Sequence, residues 1–407
     1  MQRILPLEGA IKSYDWGSHT ILATLQGKPG PSSEPEAELW LGAHANGPAL
    51  ALLPDGTRVA LGTLVERDPR GMLGDAVFAR FGARFPFLFK VLAVARALSL
   101  QAHPDAEQAR VGYQREQSGG VALEARLYAD DRAKPELVLA HTRFSALCGF
   151  RPLAEIRAGF ERMGLGDVAP PVDVDEGEWL RGFFARWFAP DAIASRATRL
   201  ERALDAAARA SASDEAAALM MRLAAQHPGD PGILAPLLLH SIELAPGEAI
   251  FLEAGELHCY LEGAAAEIMS SSDNVLRAGL TSKRRAGAEL LRIGRFASRR
   301  PQVLRGAAGA PGVSVYATTA EEFELGSVEV GAEGVAITGE RSVEVLLCYA
   351  GAVQVAPLAG GDALALASGQ SCLVPAAVGD YRIVGQGHLY RASVPGAVPS
   401  GGARRVR

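Results

Sequence analysis

The chain of 407 residues carries a net charge of −5, with 48% hydrophobic and 21% charged residues, which is an ordinary globular composition. Nothing in this balance indicates binding to nucleic acid or to an anionic membrane, and no run of about 18 apolar residues predicts a membrane span. The four cysteines form no CxxC pair and the N-terminus has no apolar signal segment, so we expect a reduced, cytoplasmic protein.

The residue composition divides the chain into three regions. Residues 1–104 contain short apolar runs separated by glycine and proline, which predicts mostly β-strands and turns. Residues 105–235 are rich in alanine, leucine, arginine and glutamate and are predicted to be helical. From residue 236 the β pattern returns and continues to about residue 395. The length and this order predict two or three domains.

Two stretches of the helical region have the strongest helix propensity, at 199–208 and 214–225. Ser213 is predicted to cap the second stretch, because its hydroxyl can accept a hydrogen bond from a free N–H of the first turn. Asp214 and Glu215 then place negative charge where the helix dipole favours it. Both stretches are therefore predicted to form complete helices.

The segment 99–105 carries polar side chains on one side of a predicted strand. Strand side chains alternate between faces, so Ser99, Gln101 and His103 point to one face and the apolar residues between them to the other. An amide and an imidazole therefore share one wall of a pocket whose other side is hydrophobic core.

Two further segments supply matching groups. Pro135 disfavours helix in the residue before it, so Lys134 and Glu136 are predicted to share a face of an extended segment. His258 lies about 155 residues after His103. Two imidazoles, a carboxylate and an amide oxygen can bind one divalent ion, for which zinc is the best match. Because both histidines must reach that ion, we predict that the helical region is inserted into a single β domain.

Each of these residues also has a plain structural interpretation. Taken singly, His103 is typical of a hydrogen-bonded structural histidine and Glu136 of a surface carboxylate. Asp273 and Arg277 could form a surface ion pair or an anionic-substrate site. Lys283 could belong to a solvated basic cluster or bind a phosphate. These alternatives stay open when the residues alone are considered.

In these segments the chain resembles the type I mannose-6-phosphate isomerases. The matches follow the order of that family from about residue 13 to about residue 285, and no comparably specific match follows. The matching segments are 16–18, 38–42, 85–90, 98–105, 134–137, 246–248 and 272–280.

The resemblance implies a mainly β fold with a helical insertion, in which two cupin-like β-barrels accompany an α-helical domain. The catalytic barrel would comprise residues 1–104 and 236–290. The helical insertion would comprise residues 105–235, and the second barrel residues 291–407.

The resemblance also implies one Zn²⁺ ion per chain and a set of site residues. The implied metal ligands are Gln101, His103, Glu136 and His258. The implied catalytic residues are Arg277, Lys134 and Asp273. The implied substrate-binding residues are Lys90, Ser99 and Lys283. We also predict that Tyr260, and His44 just after the segment 38–42, bind substrate. Arg277 would stabilise an oxyanion, and either Lys134 or Asp273 would transfer the proton.

The implied activity is the interconversion of mannose 6-phosphate and fructose 6-phosphate through a cis-enediol or enediolate. Such a reaction needs a base, a group that stabilises an oxyanion and an anchor for the phosphorylated hexose. Many bacterial relatives carry a histidine before the lysine of Lys134-Pro-Glu-Leu137, whereas this chain has Ala133, so the ring-opening group stays open.

Two other functions are compatible with the residues. One is a non-catalytic, cupin-like sugar-binding or regulatory protein. The other is a cupin oxygenase that uses two histidines and a carboxylate on iron. The sequence leaves the oligomeric state open, and a monomer is compatible with it.

Overall fold

The computed structural model describes residues 2–189 and 193–396. Over those residues the strands form two large sheets built from antiparallel pairs, and most of the longer helices lie between 105 and 235. The predicted fold class, mainly β with two cupin-like β-barrels and an α-helical domain, is confirmed. No helix in this part of the chain is long and apolar enough to cross a bilayer.

The first sheet contains 11 of the described strands, arranged around the long strand β12. Its strands are β2 (Ala10–Lys12), β3 (Glu38–Gly42), β6 (Phe87–Val94), β7 (Leu100–Ala102), β8 (Glu136–Ala140), β9 (Phe144–Phe150), β10 (Leu239–Leu244), β11 (Glu248–Leu252), β12 (His258–Ser270), β13 (Leu276–Gly279) and β14 (Val303–Arg305). The order is β14–β11–β8–β12–β6–β3–β2. Strand β12 also pairs with β7 and β9, and β7 in turn pairs with β13 and β9 with β10. Strand β6 is buried at every position, which shows that both of its faces are covered.

The second sheet also contains 11 of the described strands. Its strands are β1 (Leu5–Glu8), β4 (Leu50–Leu52), β5 (Arg58–Ala60), β15 (Ala307–Ala308), β16 (Val313–Tyr316), β17 (Glu324–Val330), β18 (Val335–Ile337), β19 (Glu344–Pro357), β20 (Leu364–Ala367), β21 (Ser371–Val374) and β22 (Tyr381–Ser393). Strands β19 and β22 pair over most of their length and form its centre.

The described residues contain eleven α-helices, some of which pack against the first sheet and some against the second. They are α1 (Ile21–Leu25), α2 (Leu61–Arg67), α3 (Pro69–Leu73), α4 (Asp75–Phe81), α5 (Ala106–Ser118), α6 (Leu153–Arg162), α7 (Glu176–Trp187), α8 (Ile193–Ala210), α9 (Glu215–Gln226), α10 (Ala235–Leu238) and α11 (Gly287–Ile293). In α7, Trp179, Phe183 and Trp187 stack at four-residue spacing and form a buried stripe.

The two helices predicted from propensity are found in α8 and α9, but the cap differs. Asp214, rather than Ser213, is the N-cap residue of α9, and its side chain accepts a hydrogen bond from the backbone N–H of Ala217 at 3.0 Å. The Asp214 carboxylate, one residue after Ser213, accepts hydrogen bonds from the same free N–H groups and adds favourable negative charge at the helix start.

Two parts of the chain differ from the predicted division into three regions. The interval 105–235 is not helical throughout, because 136–150 forms strands β8 and β9, which pair with β12. These strands are buried on both faces and lack the alternation that marks a half-exposed strand. In the N-terminal part, β1 pairs with β21 of the second sheet, with Leu5 opposite Leu373. The barrel boundaries given above stay a prediction.

A buried ion cluster lies in the second sheet around Glu344, whose side chain is completely buried. Arg391 donates to both carboxylate oxygens at 2.7 and 2.8 Å, and Arg341 and the Tyr381 hydroxyl donate as well. Burial raises the pKa of Glu344, but the charges of Arg391 and Arg341 outweigh it and hold that pKa below its ordinary value. The carboxylate is therefore ionised in the folded protein.

We expect Glu344→Gln to lower the free energy of unfolding by about 3–5 kcal/mol, because it leaves two buried guanidinium groups without their counterion. Urea unfolding at neutral pH measures this loss. Because the folded pKa is lowered, the wild-type advantage is complete above the unfolded pKa of 4.5 and disappears as pH falls through the folded pKa.

The matched control is Glu243→Gln, which removes a carboxylate from an exposed ion pair with Arg143. We expect no resolvable change in that variant, since exposed pairs contribute little. A Glu344→Gln variant as stable as the control would show that the cluster does not stabilise the fold.

Candidate metal and substrate site

Three elements of the first sheet bring His103, Glu136 and His258 together. Their nitrogen and oxygen ligand atoms all lie within 4.8 Å of one another, and all three residues are buried. The Nε2 atoms of His103 and His258 lie 3.4 and 3.5 Å from Glu136 Oε2. Strand pairing causes this meeting, because β12 pairs with both β7 and β8.

Both imidazoles are oriented by backbone carbonyl groups. The Nδ1 atom of His103 lies 2.7 Å from the carbonyl oxygen of Asn274, and the Nδ1 atom of His258 lies 2.9 Å from that of Glu256. A carbonyl can only accept, so each Nδ1 carries the proton and each Nε2 presents a lone pair. This is the arrangement of histidines that bind a metal through Nε2.

The Nε2 atom of His103 is buried and has no hydrogen-bond partner. A buried nitrogen without a partner costs free energy, so its presence indicates that another group satisfies it in the working protein. A divalent cation between the two imidazoles and Glu136 would do so, and the donor set of nitrogen and carboxylate oxygen suits zinc. The residues therefore fit a zinc ion.

The protonation states also suit a metal. Burial, and then the charge of His103, lowers the pKa of His258 to about 4, and burial also lowers the pKa of His103. Burial raises the pKa of Glu136, but the charges of Lys134 and His103 outweigh it and hold that pKa well below its ordinary value. Neutral imidazoles and an ionised carboxylate are the forms that bind metals.

The predicted fourth ligand, Gln101, lies at the edge of this cluster. Its Oε1 accepts a hydrogen bond from the Ser99 hydroxyl at 2.8 Å, and its Nε2 lies 3.5 Å from His258 Nε2. To bind a metal through oxygen, the amide must turn over so that its nitrogen donates to Ser99. Ser99 and His258 are both close enough to Gln101 for this rotation of its amide. The ligand role of Gln101 stays a prediction.

A cavity of about 670 Å³ opens beside the metal ligands. It is lined by nine of the residues predicted from the sequence, namely Lys90, Ser99, Gln101, Lys134, Glu136, Tyr260, Asp273, Arg277 and Lys283. His103 and His258 lie behind this wall, and His44 does not line the cavity. A volume of this size accommodates a phosphorylated hexose.

Two cations face the cavity without a carboxylate partner. Neither Arg277 nor Lys283 makes an ion pair with a carboxylate among the described residues, and Lys283 Nζ lies 5.4 Å from the ring centre of Tyr14. Burial, and then the charge of Arg277, lowers the pKa of Lys283. Because Arg277 makes no such pair, the alternative of a surface ion pair with Asp273 is not formed. Arg277 and Lys283 can both bind an anion.

Asp273 has different partners. The Nε2 atom of His44 lies 3.1 Å from one carboxylate oxygen, and the side-chain amide of Asn46 donates to the other at 3.3 Å. Burial raises the pKa of Asp273, but the hydrogen bond from His44 and nearby positive charge outweigh it and lower that pKa overall. His44 therefore contacts Asp273 from behind and does not reach the cavity itself.

The same cavity is lined by a buried carboxylate, Glu267, that was not among the predicted site residues. Glu267 accepts from Lys90 Nζ at 2.6 Å and from the Tyr260 hydroxyl at 3.0 Å. Alternation along one strand would place residues 260 and 267 on opposite faces. A register shift just after Tyr260, together with Gly263 at φ 116°, reverses the alternation. Only Gly263 could have signalled this bulge in the sequence.

Glu38 was also missed as a site residue, although it begins a matching segment. Its carboxylate accepts from the Trp40 indole N–H and lies 3.4 Å from Lys90 Nζ. Coulombic attraction to Glu267 and Glu38 raises the pKa of Lys90 and outweighs the opposing effect of burial, which is the largest single influence. Lys90 is thus a charged group held between two buried carboxylates.

Comparison with known proteins gives a consistent result. The model of the phosphomannose isomerase type I catalytic domain matches residues 4–153. Mannose-6-phosphate isomerase of Escherichia coli is 34% identical over 398 residues, which cover 96% of this chain and 99% of that protein. Mannose-6-phosphate isomerase 1 of Arabidopsis thaliana is 33% identical over 347 residues, which cover 80% of this chain and 78% of that protein.

Solved structures agree with these relatives. A mutant of phosphomannose isomerase from Salmonella typhimurium superimposes with a TM-score of 0.86 at 30% identity, covering 96% of this chain and 99% of that one. A zinc-bound mannose 6-phosphate isomerase superimposes with the same TM-score, identity and coverage.

We expect His258→Ala to lose bound zinc while the fold is retained, because one of the buried ligands is removed. Elemental analysis of the purified variant measures this loss. The matched control is His240→Ala, which removes a buried imidazole from β10 outside the cluster. Full zinc occupancy in His258→Ala would remove this residue from the ligand set.

Proposed function

The chain belongs to the type I phosphomannose isomerase family, and on that basis we propose that it interconverts mannose 6-phosphate and fructose 6-phosphate with one bound zinc ion. The relatives with that name cover almost all of the chain, and relatives solved with zinc share its structure. The proposed pathway is a cis-enediol or enediolate, in which a proton leaves C2 and returns to C1.

One observation carries this proposal most directly. A buried nitrogen of His103, with no hydrogen-bond partner, lies beside Glu136 and His258, next to a cavity into which two cations project without a carboxylate partner. The first feature suits a cation and the second suits an anionic substrate. A zinc ion bound by the histidines and Glu136 would act as a Lewis acid toward sugar oxygens.

Arg277 and Lys283 are proposed to bind the negative charges of the substrate. Arg277 is half-buried, so an anion bound to it is partly shielded from water and the attraction is stronger than at an exposed surface, whereas Lys283 is exposed at the cavity edge. The planar guanidinium of Arg277 can donate two parallel hydrogen bonds to an oxyanion, which suits the developing enediolate.

Asp273 is the better placed of the two proposed proton-transfer residues. Lys134 is buried and its Nζ is paired with Glu136 Oε1, beside the candidate metal ligands. Asp273 lines the cavity, is ionised because of its lowered pKa, and has its carboxylate fixed by His44 and Asn46. His44 would then act through Asp273 rather than on the substrate.

The position before Lys134 holds alanine, so no imidazole acts there. The carbonyl of Ala133 accepts a hydrogen bond from the Ser270 hydroxyl at 2.6 Å, and its side chain has no acid–base group. We propose that ring opening uses Asp273, whose carboxylate can take the proton of the anomeric hydroxyl and deliver it to the ring oxygen as the bond between C1 and that oxygen breaks, which leaves the carboxylate ionised for proton transfer at C2.

The alternatives of a non-catalytic sugar-binding protein and of an iron oxygenase gain no support from these relatives. We further propose a cytoplasmic location, which the four free and buried cysteines favour. We also propose barrels at 1–104 with 236–290 and at 291–407, except that β1, β4 and β5 pair in the second sheet and β8 and β9 in the first.

A coupled assay on mannose 6-phosphate, with zinc measured in the same samples, tests the proposal. We expect turnover that disappears when a chelator removes the metal and returns when zinc is added. Protein that is folded and contains zinc but does not convert mannose 6-phosphate would contradict the proposed function.

We expect Arg277→Lys to lower kcat by about 10²–10³ without changing zinc content, because lysine offers a mobile point charge in place of a planar fork. Steady-state kinetics on mannose 6-phosphate measure this. The matched control is Arg292→Lys at an exposed position of α11, which should leave both constants unchanged. A raised KM with normal kcat would instead assign Arg277 to anchoring the phosphate.

A further inference from the structure

Asn274 is a fully buried amide with every side-chain group bonded to one loop. Its Oδ1 accepts from the backbone N–H groups of Ala129 and Asp130, at 2.8 and 3.3 Å. Its Nδ2 donates to the backbone carbonyls of Asp130 and Arg132, at 2.9 and 2.8 Å. The side chain of Asn274 thus holds the segment 129–132 against the start of the segment that continues into β13.

The backbone carbonyl of the same residue orients a metal ligand. It accepts the hydrogen bond from His103 Nδ1–H at 2.7 Å, which is the contact that turns His103 Nε2 toward Glu136 and His258. Because the carbonyl belongs to Asn274, its position depends on how firmly the Asn274 side chain is held.

The loop that Asn274 holds leads directly to a second ligand. Four residues after Arg132 the chain reaches Glu136, the first residue of β8. Asp130 strengthens the connection, since it accepts from the Ser272 hydroxyl and from the backbone N–H of Asp273, both at 2.9 Å. The segment that leads to Glu136 and the segment whose carbonyl orients His103 are therefore tied together next to the cavity.

We infer that Asn274 is a positioning residue for the metal site. Its side chain fixes its own carbonyl, which orients His103, and fixes the loop that leads to Glu136. The inference rests on the proposed zinc binding, and it assigns to Asn274 an effect on metal affinity that ordinary buried hydrogen bonds elsewhere do not have.

The test is a zinc titration of metal-free, full-length protein against a chromophoric chelator. We expect Asn274→Ala to raise the zinc dissociation constant by about 10–100-fold, the usual effect of losing the support of a metal ligand. The absorption bands of the Co²⁺-loaded variant should also change, because they depend on the geometry of the ligands.

The matched control is Ser371→Ala in the second sheet. It removes a buried hydroxyl that donates to the Leu7 carbonyl at 2.6 Å, so it also deletes a buried hydrogen bond. We expect it to lower the thermal unfolding temperature while leaving the zinc dissociation constant and the Co²⁺ spectrum unchanged. A purely structural role for Asn274 would give the same result as this control and would overturn the inference.

Asn274→Asp covers the case in which the alanine variant does not fold. Aspartate keeps the acceptor toward Ala129 but loses both donated bonds, so we expect a rise in the dissociation constant of at least about threefold. A folded Asn274→Asp variant whose zinc dissociation constant lies within about twofold of the wild-type value would overturn this inference and leave the proposed function standing. Wild-type protein that binds zinc but does not convert mannose 6-phosphate would overturn the proposed function and leave this inference standing.

Discussion

The register of strand β12 is the constraint on which the site depends. It places His258 opposite Gln101 and Glu267 opposite Lys90, so one strand brings a candidate metal ligand next to the cavity and a buried carboxylate into its lining. A slip of one residue would turn His258 into the core and bring Cys259 to the metal side. The bulge after the first three residues is equally necessary, because without it Glu267 would point away from the cavity.

The two sheets differ in how completely their buried carboxylates are paired. In the second sheet, Glu344 is saturated by Arg341, Arg391 and a tyrosine hydroxyl, which leaves no free lone pair for a ligand. In the first sheet, Glu136 has one ammonium partner in Lys134, and its second oxygen faces the imidazoles and accepts a hydrogen bond from the Tyr260 hydroxyl at 3.4 Å. Burying an ion is tolerable only when it is compensated, so the first arrangement closes a core and the second leaves a place for a cation.

The fold was predictable where local pattern and tertiary environment agree. The helices at 199–208 and 214–225 follow from propensity alone and appear within α8 and α9. The strands at 136–150 were assigned to the helical region because a strand buried on both faces shows no alternation. The pairing of β1 with the second sheet was also not predictable, since nothing local to Leu5–Glu8 specifies a partner more than 360 residues away.

The sequence by itself determined the chemistry of the site: the family, the mainly β class with its helical region, and the residue types that converge on one cavity. Only the tertiary structure decided which carbonyls orient His103 and His258, that His44 lies behind Asp273, and that Glu267 joins the cavity. The physical reason is that residue type and spacing encode side-chain chemistry and strand period. Contacts through backbone carbonyls, and the face reversal at a bulge, arise only when distant strands pair.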